Sequence, residues 1–172
     1  MIDMSSTLTT RRACLHMVGR WACAGLTLAG GSTVVHAAEK TLPTAESLPD
    51  ALQLALAKRE PLVVMVSLHG CAFCKVVRES HLLPMQAEGL QVVQIDMRQD
   101  KPLIDFGGKT LSHDQWTRQR AIRIAPTVLF FGRDGQEIAT RLKGAYLPDF
   151  YGAYLDEQLT SARRAVQKQL GA

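Results

Sequence analysis

The sequence predicts an α/β domain, with a mixed central β-sheet and helices on both of its faces. Three observations carry this prediction. Short apolar runs rich in β-branched residues, at 62–68, 90–96 and 127–131, read as strands. Helical patterns lie before the first strand, between the first and second, and after the last. The Asp134-Gly135 pair then marks a turn that returns the chain beside the third strand.

The elements follow in order. Residues 38–49 read as a polar linker holding Pro43 and Pro49, and residues 50–172 as the domain. Ser47 or Asp50 starts a helix whose apolar face is Leu48, Leu52, Leu54, Ala55 and Leu56. Lys58 and Arg59 suit its C-terminal end, and Pro61 stops it. Residues 62–68 form the first, fully buried strand, and His69-Gly70 is the turn out of it. A helix is expected over 71–83, with Cys74, Val77 and His81 or Leu82 along it, until Pro84 ends or kinks it. Residues 90–96 are the second strand, running into a polar stretch at 97–101. The segment 101–120 is an insertion. Its first part holds an irregular loop or a small hairpin around Gly107-Gly108, and Ser112 or Asp114 then caps a short helix through Trp116 to Ala121. Ala125-Pro126 leads into the third strand, Thr127–Phe131, and residues 137–142 return as an edge strand. Gly144 follows. A last helix runs from Pro148 to about Gln169, with Phe150, Tyr151, Tyr154, Leu155 and Leu159 as its packing stripe. One parallel β-α-β unit followed by a hairpin and a helix gives a mixed sheet.

Residues 1–37 read as a secretory signal peptide that is removed. Arg11, Arg12 and Arg20 stand near an uncharged run at 21–35, and Val35-His36-Ala37 supplies small residues for a peptidase. The run falls short of the roughly 20 apolar residues a spanning helix needs, so an uncleaved anchor is the lesser reading. Cleavage is expected after Ala37, with Ala38 as the second choice. The stretch Thr10-Arg11-Arg12-Ala13-Cys14-Leu15 loosely resembles a twin-arginine signal, which leaves both that route and the Sec route open. Cys14 and Cys23 are leader residues with no role in the mature fold.

The chain has a net charge of +4 over 172 residues. Without the leader's three arginines and one aspartate it falls to about +2. No Lys/Arg block marks a phosphate-tracking surface, which argues against a nucleic-acid partner. Gly107-Gly108 has no following Gly-Lys-Ser/Thr, so a nucleotide loop is not supported. No cofactor is implied.

Without the leader, only Cys71 and Cys74 remain. A bridge between cysteines this close constrains almost nothing of the unfolded chain, so chemistry explains the pair better than stapling. A cysteine directly after a strand and turn sits at the first turn of a helix. The free N–H groups there stabilise a thiolate and lower its pKa from about 8.5. Cys71 is then the attacking thiolate. Cys74, one turn deeper on the same face, attacks the mixed disulfide and releases the product. Two blander readings stand beside this one. Half a zinc site needs two further ligands, and His69, His81 and His113 are scattered over turn, helix and loop. Two inert buried thiols are the other. Pro126 is the second candidate site residue: a trans proline there simply starts a strand, whereas a cis bond marks a constrained turn.

Cys71-Ala72-Phe73-Cys74-Lys75 at the head of the first long helix resembles the thioredoxin superfamily. So do Ala125-Pro126-Thr127 before the third strand, Asp134-Gly135 in the hairpin and Gly144 after the last strand. The resemblance covers roughly residues 50–159. It implies a thioredoxin-like fold, a cis bond at Pro126 facing the cysteine pair, and an extended substrate paired with the Ala125 backbone and lying near Gly144. Phe73, before the second cysteine, either contacts partners or packs locally. Two departures stand out. Gly70 occupies the position where cytosolic thioredoxins carry Trp, and Ala72-Phe73 replaces Gly-Pro. Met65 occupies the position of a buried acid that assists proton transfer to the deeper cysteine, leaving Glu79 or a solvent path as substitutes. His69 either tunes the thiolate or fills the turn, and Lys75 either solvates its helix or adds positive potential.

The pattern looks most like exported thioredoxin-like proteins serving sulfur-oxidation or cytochrome-maturation systems, or the C-terminal domain of transmembrane thiol-reducing proteins. The expectation is a periplasmic, monomeric reductase of protein disulfides. Its implied partners are a protein disulfide substrate and a membrane thiol-reducing transporter as electron donor. An oxidase or isomerase, or a non-catalytic exported binding module with a structural disulfide, are the alternatives.

Overall fold

The computed structural model describes residues 40–145 and 148–171. The leader, its cleavage site, Cys14 and Cys23 lie outside the described residues.

The sheet has the order β2-β1-β5-β6. β1 (Leu62–Ser67) is central and buried at every residue. It pairs parallel with β2 (Val92–Asp96) and antiparallel with β5 (Thr127–Phe131). Alternate side chains go to opposite faces. Val64, Val66, Leu129 and Phe131 pack under α1 (Leu48–Ala57) and α4 (His113–Gln119). Val63, Met65, Val128 and Phe130 pack under α2 (Ala72–Val77) and α5 (Pro148–Leu170). Helices cover both faces, so these strands read as apolar runs rather than as alternating patterns.

Ser47 caps α1, its hydroxyl accepting the Asp50 N–H at 3.4 Å. The buried face of α1 is Leu48, Ala51, Leu52 and Ala55, an i, i+3, i+4, i+7 stripe. Leu54 falls off that stripe and is exposed, which corrects its place on the expected apolar face. The residues ahead of α1 are not a free linker either. Ala45 N–H donates to Gln94 O at 2.8 Å and Gln94 N–H to Pro43 O at 2.7 Å. Leu42 and Ala45 are buried. The lead-in thus covers the edge of β2, satisfying backbone groups that an open edge would expose.

Pro84 does not end its helix. A π-turn over Arg78–Leu82 connects α2 to α3 (Leu83–Ala87). The widened turn accommodates a residue that has no N–H to donate. Within the insertion, β3 (Pro102–Ile104) and β4 (Thr110–Ser112) form a hairpin. Its turn is closed by Asp105, whose carboxylate accepts the N–H groups of Gly107 and Lys109 at 2.9 and 2.8 Å. Ser112 and Gln115 form a capping box on α4.

The expected edge strand over 137–142 is mostly absent. Glu137 bridges Phe131, and only Leu142 and Lys143 (β6) pair regularly with β5. From Phe131 to Val128 the partner strand advances three residues while the return advances five, so 139–141 bulge away. There the Thr140 N–H donates to a side chain instead, Gln158 Oε1 at 3.0 Å, and the Arg141 and Glu137 side chains pair with each other. On α5 the buried stripe is Tyr151, Leu155, Leu159, Ala162 and Val166. Phe150 and Tyr154, expected in it, are exposed.

Candidate active site

The chain leaves β1 through Leu68, His69 and Gly70. Gly70 has φ +72°, a left-handed conformation that favours glycine. Its absent side chain would meet nothing within 4 Å, so backbone conformation rather than space sets this residue. Cys71 then caps α2 in an extended conformation, and its Sγ accepts the Cys74 N–H at 3.1 Å. A donor aimed at the sulfur stabilises negative charge on it.

Cys71 and Cys74 form a disulfide, with their Cα atoms 5.2 Å apart. Their environments differ. Cys71 is partly accessible, whereas Cys74 is 1% exposed. Cys74 packs in one apolar cluster with Met65, Val77 and Phe130. An apolar surrounding disfavours a thiolate. Of the two sulfurs, Cys71 is the more reachable.

On the β5 flank, Cys71 Sγ lies 3.9 Å from the Ala125 carbonyl oxygen. The Ala125–Pro126 bond is cis. The loop before it is fastened by Thr127 Oγ1, which donates to Ile124 O at 2.7 Å. Gly144 N–H donates to Pro126 O at 2.7 Å, which brings Gly144 to the same corner. Phe73 is 57% exposed beside the pair.

His69 and Lys75 are exposed and Glu79 is partly buried. Among the described residues, none of the three bonds to either sulfur. His113, named above as a candidate zinc ligand, is wholly buried instead. Its Nδ1 accepts the Asp96 N–H at 2.9 Å, and its Nε2 lies 2.9 Å from Ala45 O, which makes the neutral Nε2–H tautomer the one that fits. Burial pushes its pKa down, outweighing the Ala45 bond and the Asp96 charge that push it up. Among the described residues, no three His, Cys, Asp or Glu side chains gather as a metal site.

On the β2 flank of Cys71 lies a polar cleft of about 540 Å³, lined among others by His69, Lys75, Arg78, Gln94, Asp96 and Lys101. Arg78 Nη1 donates to Gln94 Oε1 at 3.1 Å, and Gln94 Nε2 donates to Asp96 Oδ1 at 2.6 Å. Lys101 Nζ completes the chain on Asp96 Oδ2 at 2.7 Å. Burial alone would raise the Asp96 pKa, but the bonds from Lys101 and Gln94 and the charge of Lys101 hold it below the usual carboxylate value. The cleft was not legible beforehand, although one signal was present: Cys71, Lys75 and Arg78 stand at i, i+4 and i+7, one face of a helix.

A family model described as a thioredoxin-like domain matches residues 48–159. Among solved structures, the chain is similar to thioredoxin f2 of Chlamydomonas reinhardtii, at 18% identity and a TM-score of 0.42 over 66% of this chain and 96% of that one. It is also similar to the oxidized form of mitochondrial thioredoxin 3 of Saccharomyces cerevisiae, at 18% identity and 0.44 over 69% and 93%. A thioredoxin h of poplar matches at 18% identity and 0.45 over 66% and 95%. No curated protein sequence matches the chain. Among the described residues, no helix is long and apolar enough to cross a membrane.

Proposed function

The chain belongs to the thioredoxin-like domain family, and from that premise we propose that its mature form is an exported reductase of protein disulfides. The family and the close cysteine pair support thiol–disulfide oxidoreductase activity. One observation carries the reading above all: an accessible sulfur at a helix head, bridged to a buried one and 3.9 Å from the Ala125 carbonyl.

In the reducing direction the Cys71 thiolate attacks a substrate disulfide. A mixed disulfide forms, and one substrate sulfur leaves as a thiolate and takes up a proton. Cys74 then loses its proton and attacks Cys71 Sγ, releasing the second substrate thiol. Two electrons pass to the substrate, and the protein is left with the Cys71–Cys74 bridge. Ala125, Pro126 and Gly144 align the extended substrate, and Phe73 contacts it beside the pair. Met65 leaves no carboxylate at the position from which related proteins assist Cys74, so solvent or Glu79 takes its proton. His69 and Lys75 set the potential around Cys71.

Export of this domain rests on the leader pattern at 1–37. In that compartment a membrane thiol-reducing transporter returns the electrons, and the natural systems are sulfur oxidation or cytochrome maturation. The decisive experiment is the equilibrium reduction potential in dithiothreitol buffers, together with dithiothreitol-driven reduction of a protein disulfide. A reductase gives a potential near or below about −200 mV with turnover, and an oxidase one near about −120 mV. A very low potential without turnover identifies an inert bridge and overturns the proposal. N-terminal sequencing of the exported protein checks the leader, with Ala38 expected first.

A further inference from the structure

β1 lies between β2 and β5. Cys71, which follows β1, therefore has the Ala125-Pro126 turn on one flank and the polar cleft on the other. A substrate segment that lies along Ala125 and offers its sulfur to Cys71 carries its neighbouring side chains over the cleft.

Charge determines what the cleft recognises. Among its described lining residues Lys75, Arg78 and Lys101 are cationic, and Asp96 is the one carboxylate. Both Asp96 oxygens already accept hydrogen bonds, from Gln94 and Lys101. Arg78 is 6% exposed and already bonded, to Gln94 among its partners, so it does not reach out to a substrate. Lys75 differs from both other cations. It is exposed, one helical turn beyond Cys71, and its ammonium makes no hydrogen bond or ion pair among the described residues.

We infer that the cleft selects protein disulfides whose cysteine is flanked by an acidic side chain, with the Lys75 ammonium meeting that carboxylate. This rests on the exchange reading above and adds the substrate class. A neutral flank gains nothing from the cleft, and a basic flank is repelled. The pair forms near the surface, so the preference is modest and falls with salt.

The test uses the reduced full-length protein and two disulfide-linked peptide dimers, acetyl-Asp-Cys-Asp-amide and acetyl-Asn-Cys-Asn-amide. Each rate of reduction is divided by that dimer's rate with dithiothreitol alone, which removes the intrinsic effect of charge on the disulfide. The aspartyl dimer is expected to react roughly threefold faster at low ionic strength, with the ratio approaching unity in high salt. Lys75→Gln abolishes the ratio and Lys75→Arg retains it. Equal normalised rates, or a preference that survives Lys75→Gln, overturn the acidic-substrate inference while leaving the exchange reading standing. If neither dimer is reduced, the exchange reading fails, and binding decides the cleft separately. Oxidised protein is then titrated with S-methylated Asp-Cys-Asp peptide while the Gly70 and Lys75 amide resonances are followed. Shifts larger than those from the Asn peptide support the cleft, and equal or absent shifts overturn it.

Discussion

Two sulfurs three residues apart differ in exposure, and the proposed division of their roles rests on that difference. The Cys71 sulfur accepts a backbone N–H and is partly accessible, whereas Cys74 is buried with Met65 and Phe130. Replacing Cys71 with serine is expected to reduce disulfide exchange to background. Replacing Cys74 with serine leaves the attacking sulfur and removes the one that resolves, so a mixed disulfide with substrate accumulates. Non-reducing electrophoresis and intact mass reveal that adduct. Accumulation in the Cys71→Ser protein instead would reverse the assignment. Lys75 belongs to the same scale: as a cation it acts on whichever charge approaches Cys71, and its effect on the Asp/Asn peptide ratio isolates that action.

At the scale of elements, the 3₁₀ turn Arg133–Gly135 after β5 brings Gly135 against Phe106 of the inserted hairpin. Gly135 has φ +66°, and a Cβ there would stand 2.6 Å from the Phe106 Cβ. Phe106 in turn packs on Phe131, ring centroids 4.8 Å apart, and Arg120 lies over both rings and Trp116. Gly135→Ala is expected to lose about 1–3 kcal/mol through strain and overpacking, read as a lower urea midpoint at unchanged slope. An unchanged midpoint would show that Phe106 moves aside without cost. Elements like β1 and β5 were legible in the sequence because burial on both faces demands an apolar run. The π-turn before Pro84 and the covering of β2 by residues 40–47 were not, since backbone bonding makes them and side-chain pattern does not reveal it. Leu54, Phe150 and Tyr154 misled for the opposite reason: apolar by identity, they fall off the stripe that the neighbours bury. At the site, the cysteine pair and the turn at Pro126 stood out as local motifs. The cleft did not, because the pairing of Ser67 with Asp96 brings its β2 side to α2, and strand register is a tertiary property.

For the molecule as a whole, the buried tie at His113 is expected to make stability depend on pH. One imidazole joins the lead-in through Ala45 O, β2 through Asp96 N–H, and α4, which it begins. Asp96 and Lys101 are the charged groups that act on it. Burial holds its folded pKa below the ordinary 6.5, so between those two values the unfolded chain binds the proton and the folded protein does not. Stability from this group is therefore full above about pH 6.5 and is lost as pH falls toward the folded pKa. Protonation also removes the acceptor for the Asp96 N–H. Asp96 itself is held below 3.8, so its contribution persists above that value and disappears only at lower pH. The urea midpoint is expected to decline from about pH 6.5 downward and to fall again below about pH 4. His113→Leu strands the Asp96 N–H and the Ala45 carbonyl, costing about 1–3 kcal/mol at neutral pH, and it flattens the upper decline while leaving the lower one. A His113→Leu protein whose midpoint still fell between pH 6.5 and 5 with the wild-type slope would place the sensitivity elsewhere.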